Sequence, residues 1–87
     1  MYLILTYDIS EERVNKVRKH LKKYLTWVQN SVFEGEISQG KFNKCLKELE
    51  KIIDRSEDSV YIYELEYKRI FKKEVLGITK GLIDYIV

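Results

Sequence analysis

The sequence has no proline, four glycines, one cysteine, one histidine and one tryptophan among its 87 residues. A chain so poor in proline and glycine, with 45% hydrophobic and 34% charged residues, is typical of a compact globular domain rather than of a disordered or fibrous protein. The single Cys45 excludes an intrachain disulfide, and no Cys and His cluster has the spacing of a zinc site. We therefore expect one small domain, and we expect it in the cytoplasm.

Several familiar sequence patterns are also missing. The opening stretch MYLILTYDIS is too short to span a bilayer, so we expect no membrane association. It lacks the basic leader of a signal peptide, and we interpret it as a strand. The sequence contains no glycine-rich phosphate loop, kinase signature or Ser/His/Asp arrangement, and this excludes most familiar enzyme classes.

The net charge of +2 is distributed unevenly along the chain. Both ends are basic, whereas the segment from residue 26 to residue 66 is acidic. This asymmetry permits a nucleic-acid-binding stripe if the two basic ends meet in space.

Apolar periodicity predicts the first strand and two helices. An almost continuous β-favouring run from Tyr2 to Tyr7 indicates a central strand. Apolar residues then recur at helical spacing after Ser10 or Asp8, either of which suits a helix N-terminus. A second apolar stripe at three and four residue spacing predicts a helix from Ser38 to about Asp54.

The remaining segments have strand character. The segment TWVQNSVFEGEI, residues 26 to 37, favours two antiparallel strands joined at Asn30 and Ser31, with one longer bulged strand as the alternative. The segment SVYIYELEY after the second helix alternates between two faces, as a strand does. On one face lie Tyr61, Tyr63 and Tyr67, which we expect on the side of the sheet that no helix covers, where a partner would bury them.

This order of elements matches the ferredoxin-like βαββαβ arrangement, an α+β fold with two helices on one face of an antiparallel sheet. We assign residues 1–66 to this core and residues 67–87 to a C-terminal extension. The extension contains a further β-like stretch and an apolar end. Because an exposed edge strand is a template for another chain, we expect the extension to pair with the sheet of a second copy.

Three residues are candidates for chemistry. Asp8 stands at the carboxyl end of the first strand, where it suits either a helix cap or a metal ligand. A single carboxylate is a thin metal site, but a twofold dimer would bring two of them face to face. His20 is expected at the surface because it lies among basic residues on a polar part of the helix, and Cys45 is expected in the core.

Taken together, these segments resemble one known family. The string YLILTYDIS, a basic helix with NKVRKHLKKY, then WVQNSVFEGEI and EDSVYIYEL, resembles the small CRISPR-associated endonuclease family, the smaller core protein of spacer acquisition. The resemblance extends to about Leu65, in the same order and at the same distances. The YD pair and the VQ-S-VFEG segment are specific in combination.

The resemblance implies a ferredoxin-like homodimer that takes part in CRISPR adaptation, with a last strand that crosses to the other protomer. It also implies that Asp8 lies at the dimer interface and binds a divalent metal, usually Mg²⁺, to cleave phosphodiesters in RNA or DNA. Tyr7 precedes Asp8 as in the family, and Ser31 and Phe33 match the family's SVF element.

One position departs from the family pattern. Family members often carry a basic residue where this chain has Trp27, so we expect Arg13, Lys16 and Arg18 on the first helix to supply more of the charge for nucleic-acid binding. The family also has an architectural role, in which the dimer bridges copies of the CRISPR integrase along a short double-stranded DNA. A non-catalytic DNA-binding scaffold is therefore the alternative, and an unrelated ferredoxin-like regulator of a small ligand is a third hypothesis.

Overall fold

The structure is a computed structural model that describes residues 1–65 and residue 76. It contains four strands and two helices in the predicted order, and these are β1 (Tyr2–Asp8), α1 (Glu11–Leu21), β2 (Thr26–Gln29), β3 (Val32–Glu36), α2 (Gln39–Glu50) and β4 (Ser59–Leu65). Tyr67 and nearly all of the predicted extension lie outside the described residues.

The four strands form one antiparallel sheet in the order β2-β3-β1-β4. β1 is central, which explains its nearly continuous apolar sequence, because both of its edges are paired. The two βαβ halves interleave, as in the ferredoxin-like fold, so the predicted fold class is confirmed. No helix in the described part of the chain is long and apolar enough to cross a membrane.

The core lies between one face of the sheet and the two helices. Alternate residues of β1 point into it, and Leu3 and Leu5 are fully buried there. The helices contribute the apolar positions that their periodicity predicts, which are Val17 and Leu21 of α1 and Phe42, Cys45 and Leu49 of α2. Cys45 is buried as expected.

The segment from residue 26 to residue 37 forms the preferred pair of strands, joined at Asn30 and Ser31. Asn30 adopts a φ of 38°, a left-handed conformation that asparagine tolerates better than most residues. The alternative was correct in one detail, because the register of β2 against β3 shifts between Trp27 and Gln29.

The second helix is shorter than predicted. α2 begins after Ser38, whose hydroxyl accepts a hydrogen bond from the amide of Lys41, but it ends at Glu50 rather than near Asp54. The amides of Ile52 and Ile53 both donate to the carbonyl of Leu49, so the chain turns there while the apolar pattern continues. Apolar spacing therefore overestimated the helix by its last turn.

The surface position predicted for His20 is wrong. Its side chain is buried where α1 packs on α2, with Nε2 2.9 Å from the carbonyl oxygen of Cys45. Its ring meets the edge of Tyr24, whose hydroxyl donates to Glu48 at 2.6 Å. This hydrogen bond, together with burial, raises the pKa of Tyr24 to about 12. A helical wheel cannot show this contact, because the neighbouring helix supplies it.

Candidate functional site

Asp8 is the last residue of β1, and its side chain is exposed. In the register with β4 it lies opposite Ser59, while Thr6 lies opposite Tyr61 and Ile4 opposite Tyr63. Side chains directly opposite in an antiparallel pair share a face, so Asp8 stands at one end of the sheet face that the helices do not cover. We call this surface, which carries Ile4, Thr6, Asp8, Tyr61 and Tyr63, the open face.

The helix-cap interpretation of Asp8 finds no support in the contacts. The N-cap residue of α1 is Ser10, and its amide donates to the carboxylate of Asp58. Among the residues that the structure describes, no donor reaches the carboxylate of Asp8. Both of its oxygens therefore remain available to a ligand from outside this chain.

A carboxylate is the ligand type that Mg²⁺ prefers, so the chemistry of Asp8 fits the metal that the family resemblance implies. Asp8 alone is one ligand, and a divalent cation takes several. No group of three acidic, His or Cys side chains that could hold a metal occurs in the described part of the molecule. A second carboxylate from another copy of the chain would complete a divalent-cation site at Asp8, and substrate phosphates would add further ligands.

The three predicted supporting residues lie together behind Asp8. The amide of Tyr7 donates to the carbonyl of Ser31 at 3.1 Å, and the ring of Tyr7 lies 6.1 Å from that of Phe33. Phe33 and Tyr7 are buried on the core side of the sheet. The structure thus brings these residues together as a packed support for the end of β1.

The β4 side of the open face exposes two large aromatic residues, whereas Tyr2 and Glu34 on the same side of the sheet are buried. Tyr61 and Tyr63 expose 58% and 56% of their surfaces, which is unusual for adjacent large aromatic residues on one sheet. This placement agrees with the prediction made for them from alternation. The face is continuous with Asp8 through Thr6, so anything that covers the tyrosines also approaches the carboxylate.

The predicted basic residues of α1 differ in their surroundings. Lys16 is exposed, and Arg18 is half-buried with an enclosed Nε that has no acceptor among the described residues. Arg13 instead contacts three carboxylates, those of Glu12, Glu57 and Asp58. Its charge is thereby balanced within the chain, so it is less available to a phosphate than that of Lys16.

Trp27 has a basic neighbour. Its indole Nε1 donates to the carbonyl of Asn30 at 2.9 Å, which holds the ring over the hairpin. The ammonium of Lys22 lies 5.7 Å from the centre of this ring, within the range of a cation–π contact. A positive charge therefore lies next to the position where the family often has a basic residue.

Sequence reasoning missed Asp58. This carboxylate, whose side chain is completely buried, accepts hydrogen bonds from the amides of Ser10 and Asp54 and from the guanidinium of Arg13. The Arg13 guanidinium, together with those amides, holds the pKa of Asp58 well below its usual range. Its partners are 4 to 48 residues away in sequence. The spacing of residues along the chain therefore could not predict that these groups meet.

Comparisons with known proteins identify relatives of this chain. A profile of the family described as "CRISPR associated protein Cas2" matches residues 1–73. A CRISPR-associated endoribonuclease Cas2 of Thermodesulfovibrio yellowstonii is 64% identical over 86 residues, covering 99% of this chain and 98% of the relative. An endoribonuclease Cas2 of Archaeoglobus fulgidus is 49% identical, covering 94% of this chain and 89% of the relative.

Solved structures agree with the sequence comparison. A crystal structure described as that of cas2 superimposes with a TM-score of 0.84 at 44% identity, covering 100% of this chain and 98% of the other. The Cas2 of Streptococcus pyogenes matches with a TM-score of 0.74 at 34% identity, covering 88% of this chain and 100% of the other. The chain therefore belongs to the CRISPR-associated Cas2 family.

Proposed function

We propose that this protein is a metal-dependent endonuclease that cleaves RNA as a homodimer and acts in CRISPR spacer acquisition. The observation that carries the proposal is the free carboxylate of Asp8 at the end of the open face. A twofold dimer that buries Tyr61 and Tyr63 of both chains would bring the two Asp8 side chains together. RNA is the proposed substrate because the curated relatives are named endoribonucleases.

The dimer would create the site that one chain lacks. Two facing carboxylates repel each other. A divalent cation between them would remove this repulsion, so the pair favours metal binding. Bound Mg²⁺ would supply charge neutralisation at the phosphodiester and a polarised water. Asp8 would hold the cation, and Tyr7, Ser31 and Phe33 would support the end of β1 that carries it.

The C-terminal extension, residues 67–87, would pair with the sheet of the second copy. The support for this is the sequence of the extension, which combines a β-like stretch with an apolar end. Such pairing would add to the area that the open face buries, and a domain of this size has a thin core that benefits from contacts between copies.

Replacing Asp8 with Asn tests the activity. The Asp8→Asn variant should lose Mg²⁺-dependent cleavage of single-stranded RNA and should remain dimeric in sedimentation. Glu11→Gln is the matched control, because Glu11 is another exposed acid, three residues further on. Undiminished cleavage by Asp8→Asn, or equal loss in Glu11→Gln, would contradict the assignment of Asp8 as the metal ligand.

The DNA-binding scaffold that bridges CRISPR integrase subunits is the second candidate. It is favoured by a row of exposed basic residues along α1, namely Lys16 and Lys19, continued by Lys22 and Lys23. Such a row binds phosphates without reading bases, and its binding weakens steeply with salt.

Duplex binding tests the scaffold. Lys16→Glu should weaken binding of a short DNA duplex and flatten its salt dependence, and Lys51→Glu, an exposed lysine just beyond α2, is the control. Binding that Lys16→Glu leaves unchanged argues against this role. The absence of any nucleic-acid binding at physiological salt would contradict both the scaffold and the nuclease. Family membership already excludes the unrelated small-ligand regulator.

A further inference from the structure

The buried carboxylate of Asp58 connects the two segments that flank Asp8. Its Oδ1 accepts a hydrogen bond from the amide of Ser10 at 2.9 Å, and its Oδ2 accepts one from the amide of Asp54 at 2.9 Å. The guanidinium of Arg13 closes the cluster through Nε at 2.6 Å and Nη2 at 3.0 Å. One side chain thus joins the start of α1 to the loop before β4.

Both connections lie near Asp8, one of them along the chain and the other across the sheet. Ser10 follows Asp8 by two residues, and Ser59, the residue after Asp58, lies opposite Asp8 in the sheet. The path from Asp8 through Ser10 and Asp58 to Ser59 is therefore a short closed ring. Its hydrogen bonds restrain the backbone on the side where β1 leaves the sheet.

We propose that Asp58 is a positioning residue for Asp8. Asp58 fixes the backbone on both sides of Asp8 and thereby sets the direction in which the Asp8 carboxylate faces the metal. This inference rests on the proposed function, because it takes Asp8 as a metal ligand. Asp58 is buried and would act through the backbone rather than by contact with the cation. Groups that orient a ligand typically change metal affinity by about 10- to 100-fold when they are removed.

Two variants remove different parts of the ring. Asp58→Asn removes the negative charge that pairs with Arg13 and that accepts hydrogen bonds from the two amides. Ser10→Pro removes the amide that donates to Asp58 but keeps the charge pair of Asp58 with Arg13, and the φ of −55° at Ser10 suits proline. It also removes the hydroxyl, which contacts Glu12 at 3.4 Å. Ser10→Ala is the matched control because it keeps the amide, and the Ser10 hydroxyl makes no cap hydrogen bond.

Two further controls separate positioning from general loss of stability. Glu57→Gln removes an exposed partner of Arg13 but leaves the bonds of Asp58 intact. Phe42→Leu weakens the core at the first turn of α2, which begins shortly after Ile37. The amide of Ile37 donates to the carbonyl of Met1, at the opposite end of β1 from Asp8. Neither variant alters the ring around Asp8.

The measurement is a titration of the ¹⁵N-labelled full-length protein with Mn²⁺ alone, followed by paramagnetic broadening of the amide signals around Asp8. The same spectra report whether each variant is folded. Asp58→Asn and Ser10→Pro should weaken Mn²⁺ binding by about tenfold or more, and Ser10→Ala, Glu57→Gln and Phe42→Leu should change it by less than about twofold. If Asp58→Asn does not fold, Ser10→Pro decides.

The outcomes distinguish the two proposals. If Asp8→Asn loses Mn²⁺ binding while the folded Ser10→Pro and Asp58→Asn variants bind as the unmodified protein does, the positioning role is overturned and the proposed function stands. If Phe42→Leu weakens binding as much as Ser10→Pro, the positioning role also fails, because general stability explains the effect. If the unmodified protein shows no broadening around Asp8, both proposals fail.

Discussion

Arg13 and Asp58 form a two-pronged ion pair across 45 residues of sequence, with Nε 2.6 Å from Oδ2 and Nη2 3.0 Å from Oδ1. The carboxylate is fully buried and the guanidinium is mostly covered. This pair connects α1 to the loop that precedes β4. Arg13, which the sequence predicted to contact nucleic acid, is therefore engaged in an ion pair within the chain.

Removing the cation from this pair should destabilise the fold. Arg13→Gln leaves the buried carboxylate of Asp58 without its charged partner, so we expect the melting temperature to fall by roughly 5 °C or more. Arg55→Gln is the control, because Arg55 and Glu50 form an exposed pair at 2.8 Å. Scanning calorimetry of both variants checks this, and equal losses would contradict the importance of burial.

The depressed pKa of Asp58 predicts a loss of stability in acid. The folded state holds this carboxylate ionised below the pKa of the unfolded chain, so its contribution is present above about pH 4 and is lost as the pH falls further. Chemical denaturation at neutral pH and well below pH 4 measures this change. Asp58→Asn should be less stable at neutral pH but should lose less on acidification, and parallel pH profiles would contradict the prediction.

The thiol of Cys45 should be unreactive in the folded protein. Cys45 is 1% exposed, and burial, with a smaller contribution from Glu48, raises its pKa to about 11. Because the thiolate is the reactive form, we expect an aromatic disulfide reagent to react at least ~100-fold more slowly with native protein than with protein in denaturant. Rapid modification of the native protein would show that α2 opens readily.

The open face should be the dimer interface. Tyr63→Glu places a charge among exposed aromatic residues, so we expect dimerisation to weaken at least ~10-fold in analytical ultracentrifugation. Gln29→Glu is the control. Gln29 is exposed and lies on β2, the edge strand opposite to β4 in the order of the sheet. A dimer that Tyr63→Glu leaves intact would place the interface elsewhere and would separate the two Asp8 residues.

Local patterns predicted most of the fold but failed where distant segments meet. Alternation placed Tyr61 and Tyr63 on one face, and Asn30 and Ser31 were recognisable as a hairpin turn. By contrast, His20 was placed at the surface because its helix was considered without α2. The last turn predicted for α2 was wrong for a local reason, because Ile52 and Ile53 keep apolar spacing while both of their amides donate to Leu49 in a turn.

The sequence by itself determined the order of elements, the fold class and the candidate carboxylate Asp8, because strand and helix periods and a family motif are local properties. Only the tertiary structure decided what surrounds each polar group. It placed Asp58 and Arg13 in one buried cluster and left the carboxylate of Asp8 without a donor among the described residues. Hydrogen bonds and ion pairs of this kind depend on distances in space, which spacing along a chain does not encode.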